Sequence, residues 1–250
     1  MHEIPMAYVT PQFAKCWQQA GIHLENAAGG AIHSWLRAHL DPPFREHLSF
    51  RLGNQLFFVQ IEDVDGQLET PGTRAGLLRL ADEARGHACR MPMKQVAGRW
   101  QAMAPGWGLL DARSGQGVNP PALITDEPVE MTDWEVHDMA VQMYRSRLEE
   151  QGRVVATCQS DLEVNPTLWL ADERGELAQW VIVRGVRLPG GTRPTVDSLA
   201  PLVQTPTLEA RSGFLGVVTV AYAGKRQGNT RLLRGEAMEV EFPGGLQAMR

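Results

Sequence analysis

NPTLWLADERGELAQWVIVRG, residues 165–185, reads as a β-hairpin, and the order of elements around it decides the fold. An apolar strand leads to a turn at Asp172-Glu173-Arg174-Gly175, where Asp and Gly favour chain reversal. A second apolar strand follows and ends on Arg184.

Working outward, Thr132-Asp133-Trp134-Glu135 has the spacing of a capping box, in which Thr132 bonds an orphan amide and Glu135 reaches back. Val136, Ala140, Met143 and Tyr144 then recur on one face, predicting a helix that runs through RLEEQG. RVVATCQS is a strand. Beyond the hairpin, VDSLAPLVQ predicts a helix begun near Thr195, and GFLGVVTVAYAG with RLLRGEAMEVEF gives a last strand pair.

The first half has a similar rhythm. AAGGAIHSWLRAHL, residues 27–40, places Ile32, Trp35, Leu36 and Leu40 at helical spacing before Pro42-Pro43, which predicts a helix. HLSFRLGNQLFFVQIEDVDG is a hairpin about Gly53-Asn54. PGTRAGLLRLADEARG predicts a second helix with a stop at Gly86, and HACRMPMKQVAGRWQAMAPGWGLLDARSG reads as strand, turn, strand. PGTRAGLLRL at 71–80 and PGGTRPTVDSL at 189–199 both follow the first hairpin of their half and open its second helix. The expected fold is therefore α/β, with two tandem related domains, each helix–hairpin–helix–hairpin around a mixed sheet. Residues 1–114 would form the first domain and 132–250 the second. Residues 115–131, rich in Gly and Pro, would connect them. Leu123, Ile124, Val129 and Met131 give that connector apolar side chains to bury.

The 250-residue chain has 43% apolar and 21% charged residues, a balance that supports folded cores. No stretch reaches the run of about 18 apolar residues that crosses a bilayer. MHEIPMAYVTPQF lacks the basic and apolar regions of a secretory signal, so a cytoplasmic protein with no membrane partner is expected. Cys16, Cys89 and Cys158 lie far apart and are odd in number, which suits buried or half-buried free thiols in a reducing compartment. Net charge is −5, with 11 basic and 11 acidic residues in 1–125 against 13 and 18 in 126–250. No basic cluster marks a nucleic-acid stripe, so nucleic acid is not the favoured partner, although scattered arginines could assemble a groove.

The second-half order, helix, strand, hairpin, helix, strand, resembles the core of the PD-(D/E)XK nuclease superfamily, a restriction-endonuclease-like fold. That resemblance implies an Asp after a proline where the hairpin starts, then an acid, any residue and lysine on its second strand, with Mg²⁺ held by the carboxylates. Here Asn165-Pro166-Thr167 stands at the first place and Ile182-Val183-Arg184 at the second. Both metal carboxylates are missing and arginine replaces lysine. The first half has Phe58-Val59-Gln60 and Ile61-Glu62 on its corresponding strand, and Glu62, Asp63 and Asp65 read as a solvated strand end and turn. A relocated site would draw on Glu135, with Asp161 or Glu163 before the hairpin. Capping and loop solvation explain those acids without a metal, and Arg184 would then pair with one of them.

Other chemistry is not signalled. His87 and Cys89 lack the spacing and the second pair of a structural zinc site. No dinucleotide, P-loop or nucleophile-elbow motif occurs, and no cofactor is expected. His137 beside an apolar helix face reads as a satisfied, partly buried histidine. Trp107 reads as core packing, with a stacking platform for a ligand as the alternative. The same layout also resembles the small acidic chaperones of bacterial secretion systems. The favoured expectation is a non-catalytic protein on a degenerate nuclease-like scaffold that binds another protein, of secretion-chaperone or toxin-immunity type. The alternative is a divalent-metal nuclease using Glu135, Asp161 and Glu163, and Arg184 and Trp107 are the candidate binding residues.

Overall fold

The structure is a computed structural model that describes residues 9–32, 34–40, 44–203, 208, 211–224 and 231–249. The chain forms two compact units, Met1–Pro128 and Val129–Arg250. In the first, α1 (Pro11–Ala28) is followed by β1 (Ser34–Arg37), β2 (Leu48–Leu52), β3 (Gln55–Asp63), α2 (Arg74–Glu83), β4 (His87–Val96), β5 (Arg99–Ala102) and β6 (Leu110–Asp111). The second repeats the order with α3 (Asp133–Glu150), β7 (Val154–Cys158), β8 (Leu168–Ala171), β9 (Leu177–Arg187), α4 (Val196–Leu199), β10 (Ser212–Tyr222), β11 (Met238–Glu241) and β12 (Leu246–Met249).

Each unit has one mixed sheet. Its order is β1-β2-β3-β4-β5 in the first unit and β7-β8-β9-β10-β11 in the second, with β6 on β4 and β12 on β10. β3 with β4 and β9 with β10 are the parallel pairs, and the rest are antiparallel. The registers correspond as well. Leu48 faces Val59 as Leu168 faces Val181. The first strand shifts register between Trp35 and Arg37 in one unit and between Val155 and Thr157 in the other. α1 and α3 are both 18 residues long with threonine N-caps, Thr10 and Thr132. A shared strand order, a matching irregularity and matching caps make these two tandem related α/β domains.

The expected helix over 27–40 is corrected. The helix lies upstream at Pro11–Ala28, and the segment after it is strand β1. Gly29 and Gly30, at φ of 56° and 87°, stop the chain from continuing in right-handed helix. The helix start was also local: Thr10 accepts from the Phe13 amide, and Pro11 occupies the first turn. Phe13, Cys16, Ala20 and Leu24 form its buried stripe. A strand thus precedes the hairpin in both units, and a further short strand, β6 or β12, follows the last strand pair.

The stretch 115–131 is ordered, but its burial differs from expectation. A 3₁₀ turn spans Pro120–Leu123, and Asn54 donates to Thr125 Oγ1 at 2.9 Å and to the Glu127 carbonyl at 2.8 Å. Met131 is buried, whereas Leu123 and Ile124 stay 37% and 41% exposed. The tie is polar, made through Asn54, and does not require those two side chains to enter a core.

α1 covers its sheet through Phe13, Cys16, Ala20 and Leu24, which meet Phe50, Phe57, Val59 and Met91. α3 covers the second sheet through Val136, Ala140, Tyr144 and Leu148, which meet Val181, Val183, Val218 and Val220. Two glycines permit that approach. A Cβ on Gly185 would lie 2.8 Å from the Val136 carbonyl oxygen, and one on Gly216 would lie 2.6 Å from Tyr144 Cζ. On the opposite face Trp180, Ile182, Leu215 and Val217 pack with Leu199 and Val203.

Candidate functional site

The hairpin at 165–185 forms as its sequence predicts. Asp172 Oδ1 accepts from the amides of Arg174 and Glu176 at 2.9 and 3.0 Å, and Gly175 has φ of 79°. At the open end, the buried Gln159 organises the segment that leads into β8. Its Nε2 donates to the Val164 carbonyl at 2.7 Å and its Oε1 accepts from the Asp161 amide at 2.7 Å. Gln159 was not legible as a site residue, because nothing local distinguishes it from any other strand-end glutamine.

Thr167 and Ile182, the two positions compared above with the nuclease carboxylates, are both engaged by the fold. Thr167 is 0% exposed, and its hydroxyl oxygen accepts from the Val183 amide at 3.1 Å, locking β8 to β9. Ile182 is 0% exposed and belongs to the core beneath α4. Arg184 donates from Nη2 to Asn165 Oδ1 at 2.7 Å and from Nη1 to the Val183 carbonyl at 2.9 Å. These contacts to a neutral amide and a carbonyl replace the acid partner expected for Arg184. Burial lowers the pKa of this guanidinium below its ordinary value.

The three acids of the relocated-site reading have separate roles. Glu135 completes the capping box, accepting from the Thr132 amide at 2.8 Å, while its own amide donates to Thr132 Oγ1. It is also held by Arg234 through two contacts of 2.8 Å, Nε to Oε1 and Nη2 to Oε2, with both residues buried. Asp161 Oδ1 accepts from the Glu163 amide at 3.0 Å, and Glu163 is exposed. Among the described residues no group of three or more His, Cys, Asp or Glu side chains is placed to hold a metal ion.

Trp107 is a core residue. It is 8% exposed and stacks on Phe50 at 6.1 Å between ring centroids, so it offers no open platform. The acids at the end of β3 behave as a strand end and turn: Asp63 Oδ2 accepts from the amides of Gln67 and Leu68, and Lys94 pairs with Asp65 at 3.0 Å. Glu62 pairs with Arg90 at 3.0 Å. Cys16, Cys89 and Cys158 are free and buried, and burial pushes the Cys16 and Cys89 thiols up to about 12.

His137 departs from the expected satisfied histidine. It is 2% exposed, and neither ring nitrogen has a hydrogen-bond partner. Beside it on α3, Asp138 accepts from the Ser160 hydroxyl and from Gln142. A polar cluster from α3, the segment after β7 and the hairpin thus surrounds the open end of the hairpin. Ligands in open α/β sheets favour the carboxyl ends of parallel strands, and this cluster lies at those ends of β7 and β9.

A separate surface lies on the C-terminal half of α3. Met143, Ser146, Arg147, Glu150, Gln151 and Phe242 line a groove of about 480 Å³. Arg147 stacks over the Phe242 ring at 4.6 Å, and Met143 is 41% exposed.

Residues 134–249 match the family described as Domain of unknown function (DUF8840). The match runs from the second residue of α3 to the last residue of β12, and so covers the second domain and none of the first. No curated protein and no solved structure matches the chain. Among the described residues no helix is long and apolar enough to cross a membrane.

Proposed function

We propose that the protein is a non-catalytic binding protein built on a degenerate nuclease-like scaffold, that its partner is another protein, and that it works in the cytoplasm in the manner of a secretion chaperone or a toxin-immunity protein. The observation that carries this reading is the fate of Thr167 and Ile182. A hard cation such as Mg²⁺ requires anionic oxygen ligands, and here one position holds an alkyl side chain inside a core and the other a hydroxyl engaged by a backbone amide. Glu135, one of the three relocated acids, is held by Arg234 and the helix cap, which supports a structural role for it. Partner class is supported by charge and surface. The acidic excess of residues 126–250 disfavours a phosphate backbone, whereas the groove beside Phe242 offers apolar and guanidinium contacts of the kind protein partners use.

The test is a cleavage assay on DNA and RNA with Mg²⁺ or Mn²⁺, run beside photo-crosslinking from position 143. The proposal expects no turnover and a protein adduct that Phe242→Asp removes. Cleavage abolished by Asp161→Ala or Glu163→Ala, but spared by Asp82→Ala on α2, would establish the nuclease with relocated acids instead.

A further inference from the structure

The helices of the two domains sit differently on equivalent sheets. α1 packs on β3, β4 and β5, whereas α3 packs mainly on β7, β9 and β10. β5 and β11 hold equivalent places at the end of each strand order. The second domain therefore keeps its last strand beside the helix rather than beneath it, and the groove between Met143 and Phe242 opens there, since Phe242 directly follows β11. Among the described residues no strand pairs with the outer edge of β11. The Ala223 amide donates to the Ala237 carbonyl, and the register continues through Ala221 with Glu239 and Thr219 with Glu241. In an antiparallel ladder every second residue turns its amide and carbonyl towards the partner. Those of Ala237, Glu239 and Glu241 thus face β10, and those of Met238 and Val240 point outward, as on any open strand edge. The side chains alternate too: Met238, Val240 and Phe242 lie half-buried against the core that α3 covers, while Glu239 and Glu241 are exposed on the other face. Neither carboxylate has a partner among the described residues.

We propose that β11 binds an extended segment of the protein partner by strand addition, and that this segment alternates apolar with basic residues. Directly opposed residues of paired strands carry their side chains on the same face. Residues opposite Met238 and Val240 continue the apolar row beside the groove, and residues opposite Glu239 and Glu241 meet two unpaired carboxylates. Charge decides the occupant. Like charges directly opposite destabilise a strand pair, so an acidic segment is disfavoured. A second copy of this chain is disfavoured for the same reason, because antiparallel pairing of β11 with itself about Val240 would set Glu239 against Glu241. The acidic excess of residues 126–250 adds attraction for a basic segment at longer range. The inference rests on the reading of a protein partner given above and adds the chemistry of the segment it presents.

The test is fluorescence anisotropy of the full chain with a short dye-labelled peptide of alternating valine and lysine. Saturable binding is expected, weakened about tenfold or more by Glu239→Lys combined with Glu241→Lys. Glu173→Lys combined with Glu176→Lys makes the same charge change at the exposed turn between β8 and β9 and should leave affinity nearly unchanged. A strand offers only every second amide to its neighbour. Methylating the amide nitrogens of the valines alone, or of the lysines alone, should therefore give unequal results, one peptide losing binding and the other keeping it. No saturable binding, equal losses in the two charge variants, or equal affinities of the two methylated peptides would overturn strand addition. A protein adduct from position 143 would survive any of those results, so the wider reading of a protein partner stands or fails separately.

Discussion

Glu135 shows how one side chain can be read correctly and still incompletely. Its capping role follows from a three-residue spacing, since the bonds of a capping box are local. Its pairing with Arg234 joins residues 99 positions apart, and no sequence signal connects them. The consequence is a prediction about which role matters more. Thr132→Ala removes a cap and should cost about 1 kcal/mol. Arg234→Ala leaves a buried carboxylate without its partner and should cost about 3–5 kcal/mol. Urea denaturation followed by exchange in α3 peptides measures both, and equal costs would mean the pair contributes little beyond the cap.

His47, in the first domain, is a buried histidine of the opposite kind to His137. Its Nδ1 accepts from the Ile61 amide at 2.8 Å and its Nε2 lies 2.6 Å from the Pro71 carbonyl, so both nitrogens are used. Burial, aided by Arg37 and opposed by the Pro71 carbonyl, brings it down to about 4. The unfolded chain therefore binds the extra proton, and stability contributed by the neutral ring is lost as pH falls from about 6.5 to 4, by on the order of 3 kcal/mol. Urea midpoints at pH 7 and 5, followed by exchange in β2 and β3 peptides, should converge in His47→Gln, which starts less stable but varies less with pH. An unchanged slope would remove His47 as the source.

At the scale of elements, legibility followed the range of the determining interaction. Hairpins and the α3 cap were readable because a turn pair or a capping spacing lies within a few residues. α1 was missed although Thr10-Pro11 and Gly29-Gly30 mark both its ends, because the apolar spacing of Ile32, Trp35, Leu36 and Leu40 suggested a helix where the chain had already turned into a strand. β12 was missed because its pairing with β10 is set by a return across the sheet. Helix-to-sheet distance was also hidden in isolated glycines. Gly216→Ala would push a methyl into the Tyr144 ring and should cost about 1–3 kcal/mol. Gly21→Ala, within α1 and with open space around its Cβ, should gain about 0.5–1 kcal/mol from helix propensity. Urea denaturation of each variant checks the pair of signs, and a neutral Gly216→Ala would show that α3 packs more loosely than its contacts state.

Across the whole chain, the two domains share a strand order, a register and a backbone lock, while the side chains at the corresponding positions differ. The His47 amide donates to the Val59 carbonyl and its ring accepts from the Ile61 amide, just as the Thr167 amide donates to Val181 and its hydroxyl oxygen accepts from Val183. By the same register Arg45, Gln60 and Glu62 stand where the second domain has Asn165, Ile182 and Arg184. Two different side chains thus perform one structural task at a position where the nuclease pattern would require an acid. The central claim is that these positions serve the fold, and metal-dependent thermal stability tests it most directly, because an ion that binds the folded chain in preference to the unfolded one raises its melting temperature. Full-length protein freed of metal with a chelator should melt at the same temperature with and without millimolar Mn²⁺. A concentration-dependent rise that Asp161→Ala abolishes and Asp82→Ala leaves intact would contradict the account.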